Sequence, residues 1–256
     1  MTIDWQAVAA TMDAEPELIP FLPRLFVDLE DLGARADQVL EILRRSEFAA
    51  DSKVLDLGCG KGAVAVALAR EFRCRVDGVD AMPAFIHHAR TQAATAGVQE
   101  RCSFQVADVR EVVEDRQGYD LACLLALGEV LGRADEAVAR LRQCVHPGGF
   151  LLIDDAYLRD GCSLPEDVVN CFTHERTLEL LQSAGDEVLY ETVIDGPESE
   201  ADYADMTASI TRRAMELAQE HPDQADLLAD FAERQEEEVA LLTGPVVGAM
   251  WLIRRA

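Results

Sequence analysis

Three aspartates, Asp56, Asp80 and Asp108, each close a short apolar run, and three glycines, Gly58, Gly60 and Gly62, follow the first of them. A glycine turn between a strand and a helix lets the backbone approach a ligand closely and offers it bare N–H groups. The spacing decides which ligand. A dinucleotide-binding turn uses G-x-G-x-x-G, because a diphosphate rests on the helix N-terminus. Here the pattern is G-x-G-x-G, and a carboxylate, Asp56, stands just before it. That carboxylate repels a diphosphate and attracts an ammonium group.

Asp80 lies 20 residues past Gly60. There a carboxylate can accept from both hydroxyls of a ribose, which suits either kind of cofactor. In Ala107-Asp108-Val109 the acid can accept from an exocyclic adenine amine while the next N–H donates to the ring. Taken singly, each acid also suits a helix N-cap. As a set at successive strand tips they point to one ligand with a cationic amino-acid part, an adenosine and no phosphate. S-adenosylmethionine is such a ligand.

The elements that must position these residues alternate. Strands are expected at Lys53–Leu57, Arg75–Asp80, Ser103–Ala107, Tyr119–Leu125 and Phe150–Asp154. Helices are expected at Lys61–Phe72, Met82–Ala96 and Ala134–Val145. Such alternation implies right-handed crossovers on a parallel sheet covered on both faces. Thr173 is a candidate N-cap for a helix carrying Leu178, Leu180 and Leu181, and Val188–Val193 reads as a sixth strand. Residues 199–242 read as a helical hairpin broken at His221-Pro222, and Val246–Ile253 as a last strand. The first 48 residues read as helices. Trp5, Val8 and Met12 share one face, Leu22, Leu25, Phe26, Leu29 and Leu32 form a second stripe with Gly33 as C-cap, and Val39, Leu40, Ile42 and Leu43 a third.

Over 256 residues the formal charge is −25. Most of this surface repels a polyanion, so no nucleic-acid partner is expected. No window approaches ~18 uninterrupted apolar residues, so no membrane span is expected. Met1-Thr2-Ile3-Asp4-Trp5 lacks the basic start and apolar run of a signal peptide, and the expected location is cytoplasmic. The seven cysteines are scattered and form no C-x-x-C pair, which removes the usual zinc and dithiol signature; no metal is expected.

From Lys53 to Val193, with Val246–Ile253, the chain resembles the class I S-adenosylmethionine-dependent methyltransferases of the small-molecule type. Val54-Leu55-Asp56-Leu57-Gly58-Cys59-Gly60-Lys61-Gly62 is similar to the family's first motif and Gly78-Val79-Asp80 to its second. Gln105-Val106-Ala107-Asp108-Val109, Tyr119-Asp120-Leu121-Ala122-Cys123 and Leu141-Arg142-Gln143-Cys144-Val145-His146-Pro147-Gly148-Gly149 resemble the next three. The resemblance implies an α/β, Rossmann-like, seven-stranded sheet of order 3-2-1-4-5-7-6 with strand 7 antiparallel. The helical hairpin is then inserted between strands 6 and 7. Residues 1–48 would be a helical cap, 49–195 with 246–256 the cofactor-binding domain, and 196–245 a helical lid.

By the same resemblance Asp56 and the backbone of Gly58, Cys59, Gly60 and Gly62 hold the methionine part of the cofactor. Asp80 and Ala81 meet the ribose, Met82 packs on the adenine, and Asp108 and Val109 hold its edge. Leu125 and Ala126 line the methyl-donor side. After strand four, many relatives carry a polar or aromatic motif, but this chain has Leu125-Ala126-Leu127-Gly128-Glu129-Val130. The catalytic residue is therefore unassigned, with Glu129, Asp155, Tyr157, His174 and Tyr203 as candidates. His174 is expected to be exposed in the first turn of its helix.

The expected function is methyl transfer from S-adenosyl-L-methionine to a small-molecule acceptor by a monomer or homodimer. Three alternatives remain open at this level. One is a non-catalytic protein that binds S-adenosylmethionine or S-adenosylhomocysteine. The others are an arsenite methyltransferase using Cys162 and Cys171, and an NAD-dependent oxidoreductase.

Overall fold

The computed structural model describes residues 3–165 and 170–256. The described residues build a seven-stranded sheet in the order β3-β2-β1-β4-β5-β7-β6. The strands are β1 (Lys53–Leu57), β2 (Arg75–Asp80), β3 (Cys102–Val106), β4 (Tyr119–Leu125), β5 (Val145–Leu158), β6 (Glu187–Ile194) and β7 (Val246–Arg254). β1 pairs in parallel with β2 and β4, and β7 runs antiparallel between β5 and β6. The order and the reversed last strand are those the resemblance implied.

Residues of β1, β4 and β7 are almost all buried, as nearly continuous apolar runs require in a sheet covered on both faces. One face carries α3 (Ala36–Arg44), α4 (Ala63–Glu71) and α5 (Pro83–Thr95). The other carries α6 (Val109–Asp115), α7 (Ala134–Cys144) and α8 (His174–Leu181). α6 is a short helix that the sequence reading did not anticipate. β5 runs four residues past its expected end at Asp154. Its antiparallel partner explains this: the ladder from Phe150↔Arg254 continues unbroken to Leu158↔Val246.

A third apolar cluster lies above the carboxyl ends of β1 and β2. It joins α1 (Trp5–Ala10), α2 (Leu22–Leu25), α9 (Pro197–Glu220) and α10 (Ala225–Leu242) to Met82 and Phe85 of the sheet domain. Leu18, Leu22 and Leu25 are at most 1% exposed, and each such burial contributes about 1.5–3 kcal/mol. The N-terminal segment and the α9–α10 hairpin thus share one core. Among the described residues no helix is long and apolar enough to cross a membrane.

The expected helix through Leu22–Leu32 is replaced by one turn, Leu22–Leu25, and a bent segment from Phe26 to Gly33. The apolar side chains still point inward, with Phe26, Leu29 and Leu32 packed on the third cluster. The backbone is not helical because its carbonyls have another donor. Lys61 Nζ donates to Phe26 O at 2.6 Å, to Val27 O at 3.4 Å and, in a very short contact, to Leu29 O. Gly33 lies in an open loop at φ +147° and caps nothing.

Candidate functional site

The glycine turn is shaped by backbone conformation first. Gly58, Gly60 and Gly62 adopt φ +73°, +49° and +87°, a region that costs an L-residue roughly 1–2 kcal/mol. Alternate left-handed residues curl the chain from β1 into α4. Gly58 N–H and Cys59 N–H both donate to Val79 O, at 2.8 and 2.9 Å, and pin the turn to β2. Gly62 N–H closes onto Cys59 O at 2.8 Å. Cys59 is buried with its sulfur beside Gly78, where a Cβ would lie 3.0 Å from it.

Asp56 and Asp80 meet at this turn. Asp80 is 6% exposed and accepts from Gly60 N–H at 2.9 Å and Met82 N–H at 2.8 Å. Burial pushes its carboxyl up to about 6, against the pull of those two donors. Asp56 is 2% exposed and its Oδ2 has no partner among the described residues. Burial, then the negative charge of Asp80, pushes it up to about 7. A buried carboxylate oxygen without a donor calls for a cation or a donor from elsewhere. An ammonium group fits this place and a diphosphate does not.

The other predicted residues fall around the pair. Ala81 is half-buried just beyond β2, and Met82 is buried in the third cluster, committed to the cap. Asp108 caps α6, accepting from Arg110 N–H at 3.0 Å, and its carboxylate also takes Arg110 Nε at 3.0 Å and Nη2 at 2.6 Å. Those guanidinium hydrogen bonds hold it below the usual carboxylate range. Asp108 thus caps its own helix, as the N-cap reading allows. Val109 is buried in the first turn of α6. Leu125 ends β4 buried, and Ala126 is exposed at φ +51°.

The turn is covered. Leu127 lies on Gly58, so that a Cβ there would be 2.2 Å from Leu127 Cδ1. Leu32 lies on Gly60, 3.2 Å from a Cβ position, and Gly33 meets the Ala126 side chain.

The candidate acids and bases separate into two groups. Glu129 is exposed and accepts from Asn170 Nδ2 at 2.9 Å. Asp155, half-buried on β5, is raised mainly by burial. Tyr157 rests on the His174 ring at 4.6 Å between centroids. His174 is half-buried rather than exposed, because its Nε2 lies 2.9 Å from a Glu191 oxygen on β6. Tyr203 of α9 stands apart from these, with its hydroxyl 3.4 Å from a Cβ position on Gly248. Burial and the negative charge of Asp154 push its phenol up to about 12.

Sequence reasoning missed two residues. Asp154, paired across the sheet with Leu125 and Met250, is pushed up to about 7 by burial and by Asp155. The consecutive acids Asp154-Asp155 after an apolar run were the available signal. Lys61, 5% exposed, had none. Among the described residues no group of three or more His, Cys, Asp or Glu side chains is placed to hold a metal ion.

Residues 54–149 match the family described as a methyltransferase domain. Methyltransferase GfsG of Streptomyces halstedii is 28% identical over 131 residues, covering 51% of this chain and 46% of that protein. The chain spans about half the length of the curated relatives it matches first. A methyltransferase of Geobacter sulfurreducens, solved with S-adenosyl-L-homocysteine, superposes with a TM-score of 0.78 at 17% identity, covering 93% of this chain and 98% of that one. The [4+2]-cyclase SpnF superposes at 0.71 and 18% identity, covering 99% and 97%. Those two likenesses concern the fold alone. The match over residues 54–149 and the shared fold agree with the resemblance seen in the motifs.

Proposed function

We propose that the protein transfers a methyl group from S-adenosylmethionine to a small-molecule acceptor. The observation that carries this is the unpartnered Oδ2 of Asp56, buried beside a left-handed glycine turn and next to Asp80. In this reading Asp56 and the backbone of Gly58, Cys59, Gly60 and Gly62 hold the amino-acid end, and Asp80 with Ala81 the ribose. Met82, Asp108 and Val109 flank the adenine, and Leu125 and Ala126 face the methyl donor. Residues 1–48 and 196–245 act as cap and lid over the domain formed by 49–195 and 246–256. The charge of −25 argues against a nucleic-acid partner, and in this reading the protein acts in the cytoplasm as monomer or homodimer.

The cofactor, when bound, supplies a methyl group already activated by its sulfonium. The chain's residues then have to orient, exclude water and manage protons. Orientation alone accounts for up to ~7–11 kcal/mol of a two-reactant barrier. Leu127, Leu32 and the apolar cluster under α9 and α10 keep water from the turn. For an acceptor that arrives protonated, Asp154, in register with Leu125 at the end of β4, is the candidate base: burial pushes its carboxyl up to about 7. Tyr203 beside it is a hydrogen-bond donor for the acceptor.

Calorimetric titration of cofactor-stripped protein with S-adenosylmethionine and S-adenosylhomocysteine tests the reading, with nicotinamide fluorescence as control. Binding of both sulfur ligands and not of NADH is expected; binding of neither refutes it. Turnover on an acceptor panel separates a methyltransferase from a protein that binds the cofactor without transferring its methyl group. Activity unchanged in the double variant Cys162→Ser, Cys171→Ser dismisses an arsenite acceptor.

A further inference from the structure

Lys61 is a buried cation with no carboxylate in hydrogen-bond contact among the described residues. It is 5% exposed and sits two residues before α4 begins at Ala63, where the helix dipole already disfavours positive charge. Burial pulls its ammonium below the usual lysine value, partly offset by Glu30 and Asp28. Three carbonyls satisfy it, those of Phe26, Val27 and Leu29. An ammonium has three N–H donors on a compact head, and each finds one acceptor here. The planar fork of an arginine could not spread over three carbonyls of one bend.

Those carbonyls belong to the segment 26–33, which crosses the glycine turn as a strap. Its outer edge is tied to α9. Asp28 accepts from Arg212 at 2.8 Å and from Arg213 twice at 2.7 Å, and just before the strap Arg24 of α2 pairs with Glu220 at 2.7 Å. Its inner edge roofs the turn: Leu32 on Gly60 and Gly33 on Ala126. Ala126 holds the left-handed φ of +51°, uncommon for a residue with a Cβ. The loop it begins lays Leu127 on Gly58. Asp56 thus lies beneath a roof made by the strap from one side and the loop after β4 from the other.

We propose that Lys61 is a positioning residue that latches the strap 26–33 onto the glycine turn, so that cofactor reaches and leaves Asp56 only when the strap opens. This rests on the cofactor reading above. The arginine pairs on the outer edge are exposed and screened by salt. The charge-assisted bonds of Lys61 are sheltered and break together. Lys61 therefore sets how often the strap lifts.

Hydrogen exchange on wild type and Lys61→Met, with and without S-adenosylhomocysteine, tests this beside stopped-flow displacement of that ligand. In Lys61→Met, amides of residues 26–33 should exchange at least about tenfold faster while those of β1 and β4 are unchanged. Ligand dissociation should speed up by at least about the same factor. Should Lys61→Met fail to fold, Lys61→Arg keeps the charge but cannot spread over the three carbonyls, and should raise strap exchange and ligand dissociation together. Strap exchange equal to wild type, or a freed strap with unchanged dissociation, overturns the proposal. Wild type that binds no S-adenosylhomocysteine overturns the cofactor reading and the gate with it, while the exchange data still judge the latch.

Discussion

Replacing Asp56 by asparagine should make the ligand-free protein progressively more stable, relative to wild type, as pH rises, while removing its affinity for the cofactor. The buried carboxyl titrates at about 7 in the folded chain against an ordinary 3.8. A raised carboxyl means that the folded state holds the proton more tightly. Its contribution is therefore fully present below pH 3.8 and is lost as pH climbs to about 7. The gap of about 3 units, at about 1.4 kcal/mol each, gives a full penalty of about 4 kcal/mol. Between pH 5 and pH 8 the part still to be lost is roughly 2–3 kcal/mol. Asparagine carries no such titration, but its amide has polar atoms to satisfy at a cost of about 1–3 kcal/mol. The absolute stability of the variant is thus a difference of similar terms. Its pH dependence is not. Urea unfolding of both proteins at pH 5, 6, 7 and 8 should show the difference shifting by roughly 2–3 kcal/mol in favour of Asp56→Asn. A difference that stays constant across this range refutes the reasoning, because Asp56 then carries no unfavourable buried charge.

Further predictions follow from the same contacts. Gly58→Ala places a Cβ against Leu127 and at φ +73°; thermal denaturation should show a loss of at least about 1–2 kcal/mol, and the added Leu127→Ala should recover only the steric part. Asp108→Ala removes the cap and guanidinium partner of α6 and should cost about 0.5–2 kcal/mol by urea unfolding. Tyr203→Phe and Asp154→Asn should each lower turnover at least about tenfold on a productive acceptor, while the S-adenosylhomocysteine dissociation constant moves less than about twofold. The Asp154→Asn profile should lose the limb that rises near pH 7 in wild type.

The sheet was legible because its strands are short apolar runs between unambiguous turns. Lys53–Leu57, Arg75–Asp80 and Tyr119–Leu125 stand where expected, and the order and reversed seventh strand came with the motifs rather than with periodicity. β5 was cut short at Asp154 because consecutive acids look like a strand end; only the long partner β7 shows otherwise. The stripe from Leu22 to Leu32 has helical spacing, yet a distant lysine takes its carbonyls, and nothing local encodes that. Asp108 satisfied two readings at once, and the structure shows the helix-capping one. Acids that must stay buried were visible as strand tips. Which groups would cover them, Leu32, Leu127 and the Lys61-held strap, depended on contacts between residues about thirty or more positions apart.

The most direct measurement is calorimetric titration of wild type and Asp56→Asn with S-adenosylhomocysteine at pH 6 in two buffers of different ionisation enthalpy. At that pH the Asp56 carboxyl, titrating at about 7, is mostly protonated in the free protein. Pairing with the ligand's ammonium should expel that proton. Wild type should bind with release of close to one proton per ligand, and Asp56→Asn should bind at least about a hundredfold more weakly without that release. Absent binding by the folded wild type, or equal affinity and equal proton release in both proteins, contradicts the assignment of Asp56 as the cofactor's ammonium partner.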